Sequence, residues 1–282
     1  MVPRRARRAD EAFSRNRGDV TLDARPVLPA IERGSGKPTL VFLHYFGGSS
    51  ADWDLVADRL APEFRCLLPD LRGFGAAAAD DVPSTWSVAD AADNVAALIA
   101  AHALDDFVLV GHSMGGKIAL ALAAPKLAGL RRVVLVAPSP PTPEPIDEVV
   151  RARLLSTHGE RAAAEEGARA ITFQPPGSPL YERVVADNLA TAPGAWRSWL
   201  ETGSKDDISE AVKRIAVPVL AVSGADDRTI PTAVIAREVV GRVPGAELVE
   251  VAGSRHLIPF DQPEELSRLI ADFAHPLAPA LS

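Results

Sequence analysis

A serine flanked by glycines is the residue of this chain best suited to covalent chemistry. Ser113 stands in the stretch Gly111-His112-Ser113-Met114-Gly115, after the apolar run "FVLV" and before the helical pattern "KIALALAA". A serine hydroxyl is a weak nucleophile that must project from a fixed backbone toward a base. A sharp turn from strand to helix does this, and its crowding requires small residues two positions before and after the serine. The context favours a nucleophile over the alternative, a glycine-rich helix start with an incidental serine.

An acid and a histidine farther along the chain could activate this serine. Asp226 and Asp227 follow the strand-like run "LAVSG", and His256 follows "VEVAG" and precedes a helical pattern. Active sites of open α/β sheets collect at the carboxyl ends of parallel strands, so Ser113, Asp227 and His256 are expected to meet there. His256 would then take the serine proton, and the acid would orient its ring.

The remaining histidines are interpreted as structural. His44 and His112 flank the same edge of the sheet and are expected to be packing and turn residues, although His112 is also a candidate for the substrate pocket. The other three, His102, His158 and His275, are interpreted as surface or helix-end residues.

Attack by Ser113 on a carbonyl group needs donors for the resulting oxyanion. Where a serine nucleophile stands on a strand-to-helix turn, backbone N–H groups supply these donors. One belongs to the residue after the nucleophile, and one belongs to a loop after an earlier strand. Met114 and Phe46 are the candidates. Phe46 lies in the loop "HYFGGSSADW", where Gly47 and Gly48 let the backbone bend closely.

The elements that must position these residues alternate along the chain. Continuous apolar runs at 39–44, 64–69, 106–111, 131–137, 217–224 and 246–253 indicate strands covered on both faces. Helical patterns separate them; the one at 87–103 has an N-cap signal in Ser87 and Asp90. This alternation predicts an α/β fold with a parallel sheet.

A helical insertion interrupts this rhythm at about 139–210. Five prolines between 138 and 145 predict an extended exit, and helices are expected near 146–157, 160–171, 179–191 and 194–202. The aromatic residues of this insertion either line a cavity or join it to the body, and the sequence favours neither; they are Phe173, Tyr181, Trp196 and Trp199. Phe173, Trp196 and Trp199, with Tyr45, are the candidate pocket residues.

Composition limits the classes of partner. The chain has 282 residues, of which 47% are hydrophobic, and its net charge of −7 argues against binding nucleic acid or anionic lipid through the whole surface. We therefore expect one globular protein with a small-molecule partner and no membrane span.

The single cysteine, Cys66, fits a reducing cytoplasm. Residues 1–19 are interpreted as a solvated basic tail, with a polybasic tether as the alternative; the oligomeric state cannot be read.

No cofactor or metal is expected from the motifs. The stretch "GSGKPT" departs from a phosphate-binding loop, because Ile31 and Pro38 stand where that loop needs glycine and Ser or Thr. Paired aspartates at 80–81, 105–106 and 206–207 lack clustered His or Cys, so they are interpreted as helix caps and turns.

The chain resembles α/β-hydrolase fold serine hydrolases with a helical cap, over about residues 20–275. The motifs "HYFGGS", "DLRGFG", "GHSMGG", "GADDRTIP" and "GSRHLIPFDQPEEL" occur in the order of that family. The resemblance implies a mostly parallel eight-stranded sheet with one or two strands within 20–33, a core at 20–138 and 211–282, and a cap at 139–210. It favours Asp227 over Asp226 as the triad acid, with Asp226 left to bond the turn. Tyr45 stands where this family usually has glycine. Tyrosine cannot adopt all the backbone angles open to glycine, and this bears on the placement of the oxyanion donor at Phe46.

The sequence thus predicts a cytoplasmic hydrolase that cleaves an ester or related acyl bond through an acyl-enzyme on Ser113. Two other enzyme functions use the same triad: hydrolysis of a carbon–carbon bond in a dicarbonyl compound, and cofactor-free haloperoxidase or perhydrolase chemistry. A ligand-binding protein on the same scaffold is the non-enzymatic alternative.

Overall fold

Seven strands form one sheet in the computed structural model, which describes residues 27–275. They are β1 (Ala30–Arg33), β2 (Thr39–Leu43), β3 (Arg65–Pro69), β4 (Phe107–His112), β5 (Leu130–Val136), β6 (Val219–Gly224) and β7 (Glu247–Val251). The strand order is β1-β3-β2-β4-β5-β6-β7; β1 runs antiparallel to β3, and every other pairing is parallel. The chain crosses over β2 between β3 and β4, so the carboxyl ends of β2 and β4 border a topological switch point, where open α/β sheets bind ligands.

Burial follows from the position of each strand in the sheet. All residues of β2, β4 and β6 are buried, because helices cover both faces of the sheet there. The edge strands β1 and β7 keep exposed or half-buried residues along most of their length. The continuous apolar runs of the sequence therefore predicted the central strands correctly.

Eleven α-helices pack around the sheet in the part of the chain that the structure describes. They are α1 (Asp54–Leu60), α2 (Val88–Ala101), α3 (Met114–Ala123), α4 (Glu148–Ser156), α5 (Arg161–Ile171), α6 (Pro179–Ala190), α7 (Pro193–Glu201), α8 (Ser209–Val212), α9 (Thr232–Ile235), α10 (Ile258–Asp261) and α11 (Pro263–Ala274). The capping box that the sequence predicted at the start of α2 is present: Ser87 and Asp90 bond each other's backbone N–H groups. None of these helices is long and apolar enough to cross a bilayer.

The four helices α4 to α7 lie between β5 and β6 and are called the inserted helices below. Each begins and ends within three residues of the helix that the sequence predicted. Two of them begin with a side-chain N-cap: Asp147 accepts from the Val149 N–H at the start of α4, and Ser178 accepts from the Tyr181 N–H at the start of α6.

The expected number of strands needs a correction. The resemblance implied eight strands, whereas residues 27–275 form seven. One of the strands expected within 20–33 is observed as β1, which lies at the edge of the sheet and pairs antiparallel with β3. The basic segment 1–19 lies outside the described residues. The mostly parallel sheet with helices on both faces is confirmed.

Candidate active site

Ser113 occupies a strained turn between β4 and α3. Its backbone has φ +51° and ψ −114°, a left-handed conformation that side-chain-bearing residues rarely adopt. Such a conformation costs about 1–3 kcal/mol and persists only where its surroundings fix it. Here the Ser113 N–H donates to the Val136 carbonyl at 3.0 Å, and the Ser113 carbonyl accepts from the N–H groups of Gly116, Lys117 and Ser139 at 2.9–3.2 Å.

The glycines around Ser113 leave room for this turn. A Cβ atom on Gly111 would lie 2.4 Å from the Gly115 carbonyl oxygen. A Cβ atom on Gly115 would lie 2.4 Å from the Leu43 carbonyl oxygen, at the end of β2. Backbone atoms cannot move aside as a flexible side chain can, so both positions require glycine. The spacing seen in the sequence thus has a steric cause.

Asp227 and His256 form a buried pair after β6 and β7. Asp227 Oδ2 and His256 Nδ1 are 2.8 Å apart. The other carboxylate oxygen, Oδ1, accepts from the N–H groups of Thr229 and Ile230 at 2.8 and 3.1 Å. Because both oxygens are bonded, the carboxylate is fixed, and its bond to Nδ1–H leaves Nε2 of a neutral His256 as the base.

The charges of this pair stabilise each other. Burial works against ionisation of Asp227, but the charge and hydrogen bond of His256, together with the two N–H donors, hold the pKa of Asp227 below its ordinary value. Burial likewise works against a charged His256, but the charge and hydrogen bond of Asp227 raise the pKa of His256 above its ordinary value. The pair can therefore accept a proton on His256 at neutral pH.

The neighbouring acid, Asp226, is exposed and lies outside this pair. Its backbone N–H donates to the Ser254 carbonyl at 2.9 Å. The sequence assigned the turn's side-chain-to-backbone bonds to Asp226, whereas Asp227 makes them in the structure.

His112 contacts His256 through a hydrogen bond and through its ring. Its Nε2 lies 2.9 Å from the His256 carbonyl oxygen, to which a neutral ring donates, and the two rings are 5.1 Å apart. Burial and the nearby His256 hold the pKa of His112 well below its ordinary value. His112 is fully buried and is not among the residues that line the cavity, which agrees with its interpretation as a packing residue.

His44 shapes the loop that follows β2. Its Nδ1 lies 2.8 Å from the Tyr45 carbonyl oxygen, and its Nε2 accepts from the Leu71 N–H at 3.1 Å. These two bonds require a neutral ring protonated on Nδ1. Phe46 follows in this loop, and the left-handed residue of the turn is Gly47, with φ +84°.

The two candidate oxyanion donors have free N–H groups. Within residues 27–275, neither the Phe46 N–H nor the Met114 N–H has a protein acceptor. Met114 is the first residue of α3, where backbone N–H groups are unpaired and the helix dipole favours negative charge. Its side chain enters a small neighbouring cavity of about 40 Å³.

Tyr45 is accommodated by a glycine rather than by an unusual backbone. Its φ is not positive, and its ring is buried 5.3 Å from the His112 ring. A Cβ atom on Gly48 would lie 2.4 Å from a carbon of that ring. Burial and the charges of Asp52 and Asp187 raise the pKa of Tyr45 well above its ordinary value, so the phenol is neutral. Tyrosine in place of the family's usual glycine therefore leaves the loop intact.

A cavity of about 510 Å³ separates the sheet edge from the inserted helices. Ser113, His256, Tyr45 and Phe46 line it from the sheet side, and apolar side chains of the inserted helices line the opposite side. Trp196 and Trp199 are among them; the rings of Trp196 and Phe46 are 4.3 Å apart. Both tryptophans also belong to the main hydrophobic core, so they line the cavity and join the inserted helices to the body.

Phe173, like His112, is a pocket candidate that is not among the residues lining the cavity. Asp261 accepts hydrogen bonds from the Thr172 hydroxyl and the Phe173 N–H. The ring is 47% exposed and lies under the guanidinium of Arg255, 4.4 Å from its centre. Phe173 therefore lies outside the residues that line this cavity.

Glu144 is a cavity residue that the sequence did not single out. It stands among the five prolines that follow β5, and the only signal was one acid in an otherwise apolar stretch.

Within the described range, no three His, Cys, Asp or Glu side chains are grouped as metal ligands would be.

The chain is similar to known proteins over most of its length. A family model described as "Alpha/beta hydrolase family" matches residues 40–269. A bifunctional esterase/perhydrolase of Acinetobacter calcoaceticus is 26% identical over 263 residues, which cover 84% of this chain and 91% of that protein. A pimeloyl-[acyl-carrier protein] methyl ester esterase of Vibrio vulnificus is 27% identical over 254 residues, covering 86% and 96%. An esterase structure from Exiguobacterium antarcticum superposes with a TM-score of 0.79 at 19% identity, covering 88% and 95%.

Proposed function

The chain belongs to the alpha/beta hydrolase family, and from that premise we propose that it cleaves an ester or related acyl bond of a small molecule through an acyl-enzyme on Ser113. His256 acts as the general base and acid, and Asp227 orients it. The observation that carries this proposal is that His256, bonded to Asp227 at 2.8 Å, lines the same cavity as the strained Ser113.

The reaction proceeds in two halves. His256 Nε2 takes the proton of the Ser113 hydroxyl while Oγ attacks the carbonyl carbon, and the tetrahedral intermediate expels the alcohol, which receives that proton from His256. Water then attacks the acyl-enzyme, gives its proton to His256, and the acid leaves as Ser113 recovers its proton. Asp227 remains ionised throughout and stabilises the imidazolium.

The negative oxygen of each tetrahedral intermediate is stabilised by the N–H groups of Phe46 and Met114. Their lack of protein acceptors supports this assignment, because donors already oriented need no rearrangement in the transition state. The N-terminus of α3, a helix of ten residues, adds a favourable dipole at the same point.

The inserted helices act as a cap that selects the substrate. The cavity of about 510 Å³ is within the range of small-molecule sites, and the cap side of its wall is mostly apolar. A substrate with an apolar acyl or alcohol part therefore fits this cavity. The names of the relatives, which include ester hydrolases, support an ester or a related bond.

Perhydrolysis is the second candidate, and the relative described as an esterase/perhydrolase favours it. Hydrogen peroxide would replace water in the second half of the reaction and release a peracid from the same acyl-enzyme. Comparing acid and peracid yields from one ester, with and without peroxide, measures this activity.

A fluorophosphonate probe and a panel of esters test the proposal. The probe should label wild-type protein at a single residue, identified as Ser113 by peptide mass spectrometry, and the probe should block turnover of the panel. Folded protein that is neither labelled nor active on any ester, lactone or dicarbonyl compound would instead support the ligand-binding function.

A further inference from the structure

The cavity contains a half-buried carboxyl group that the proposed reaction does not use. Glu144 lines the cavity together with Ser113 and His256. Its Oε2 accepts a hydrogen bond from the Ser139 hydroxyl at 2.8 Å. Within residues 27–275 no group donates to Oε1, so this oxygen keeps its acceptor capacity for a molecule in the cavity.

The segment that carries Glu144 is held rigidly against the catalytic turn. The Ser139 N–H donates to the Ser113 carbonyl at 3.0 Å, and the Glu144 N–H donates to the Ser204 carbonyl at 2.7 Å. Between them, the Lys117 ammonium donates to the Thr142 carbonyl at 3.2 Å. The prolines restrict the same segment further. Glu144 is therefore a fixed group at a fixed place beside the nucleophile.

The charges around the cavity are one-sided. Its lining contains the acids Glu144 and Asp147 and neither lysine nor arginine. Lys117 is fully buried outside the lining. Burial raises the pKa of Glu144 above its ordinary value, and the Ser139 bond and the charges of Lys117, His256 and Arg151 offset only part of this rise. A ligand thus meets the unbonded Oε1 of Glu144 in a wall that holds no lysine or arginine.

We propose that Glu144 determines substrate charge: its carboxylate accepts a hydrogen bond from an ammonium or other N–H group of the substrate and rejects substrates with a second carboxylate. The site would favour cationic or N–H-bearing acyl compounds most, neutral compounds less and anionic compounds least. As a statement about substrates this rests on the proposed hydrolase function, whereas ligand binding tests it without turnover.

Three ligands of equal chain length provide the binding test. Hexylammonium, hexanol and hexanoate are titrated calorimetrically at pH 8 into wild type, Glu144→Gln and Glu148→Gln. Glu148 is the matched control, because its side chain is 77% exposed and it does not line the cavity, while its substitution changes the net charge equally. A hydrogen bond to a charged group is worth about tenfold or more in affinity.

Wild type and Glu148→Gln should bind hexylammonium at least about tenfold more tightly than hexanol, and hexanoate most weakly. Glu144→Gln should remove most of this preference, and Ser139→Ala, which frees the carboxylate, should weaken it. Undetectable hexylammonium binding, equal affinities in wild type, or a preference that survives Glu144→Gln would overturn the proposal.

Kinetics extend the test to substrates. Butyrylcholine and 3,3-dimethylbutyl butyrate have the same shape and differ by one positive charge, so their kcat/KM ratio reports charge selection alone. The ratio should favour butyrylcholine in wild type and fall by about tenfold in Glu144→Gln. Failure of Ser113 labelling would refute the hydrolase function only, whereas labelled protein without charge selection would refute the role of Glu144 only.

Discussion

The sheet edge and the inserted helices contribute to the cavity in different ways. At the sheet edge, directed hydrogen bonds fix the candidate catalytic groups: both carboxylate oxygens of Asp227 are bonded, and four backbone bonds hold Ser113. The inserted helices contribute mainly apolar surface, including Trp196 and Trp199. Hydrogen bonds lose their strength within a few tenths of an ångström, whereas apolar packing tolerates changes of shape.

This difference predicts that substitutions at the sheet edge change the rate of reaction and those in the inserted helices change its selectivity. The strands beneath the edge are buried on both faces, so that edge cannot shift easily. The inserted segment instead exposes Val149, Val150 and Phe173. The predictions below test this division.

Ser113→Ala should have the largest effect. Without the nucleophile, kcat/KM should fall by roughly 10⁴-fold or more, because the remaining groups cannot form an acyl-enzyme. Circular dichroism and the melting temperature should stay close to wild type, since the backbone bonds of the turn remain. Ser156→Ala, an exposed serine in α4, is the control. Near-normal turnover by Ser113→Ala would contradict the mechanism.

Asp227→Asn should have the next largest effect. The amide cannot hold His256 in the tautomer that leaves Nε2 as the base, so kcat/KM should fall by roughly 10³- to 10⁴-fold. Asp226→Asn is the matched control and should retain most activity, because Asp226 is exposed and does not contact His256. The reverse result would move the triad acid by one residue.

The pH dependence of wild type should show the same pair. His256 must be neutral to accept the serine proton, and Asp227 raises the pKa of His256. The rate is therefore present above this pKa and lost as pH falls through it, at a pH above the ordinary histidine value of about 6.5. In Asp227→Asn the residual activity should keep its rate to lower pH. Profiles of log(kcat/KM) against pH for both proteins measure this. An acidic limb at the same pH in wild type and Asp227→Asn would contradict the prediction.

Trp199→Leu should change selectivity more than reactivity. The smaller side chain enlarges the cavity, so the kcat/KM ratio between long and short acyl esters should shift by about tenfold, within the range known for methylene-sized differences. The rate of labelling by a small fluorophosphonate should change by less than about threefold. Phe173→Leu is the control, because Phe173 lies outside the cavity, and it should leave the ratio unchanged. An equal shift in both variants would remove the distinction between wall and surface.

The sequence predicted the sheet edge well because the relevant constraints are local. A strand followed by a glycine-serine-glycine turn encodes the position of Ser113, and the runs before Asp227 and His256 encode theirs. The cavity wall depends on packing between distant segments, so Phe173 could not be told from Trp196 or Trp199 by residue type. The hydrogen bond between Asp261 and the Phe173 N–H, for example, joins residues 88 positions apart. Glu144 was missed for the same reason.

Tyr45→Phe should have the smallest effect, and it tests whether the family's usual glycine position carries a function here. The Tyr45 hydroxyl is buried without a hydrogen-bond partner in the part of the chain that the structure describes. A buried unpaired hydroxyl costs about 1–3 kcal/mol, so removing it should leave the free energy of unfolding unchanged or raise it. Activity should stay within about twofold, because the loop is shaped by the His44 bonds and by Gly47 and not by the phenol. Urea unfolding and ester kinetics of the variant measure both quantities. A loss of more than about 1 kcal/mol would show that the hydroxyl has a stabilising partner, and a selective loss of activity would make Tyr45 part of the catalytic edge.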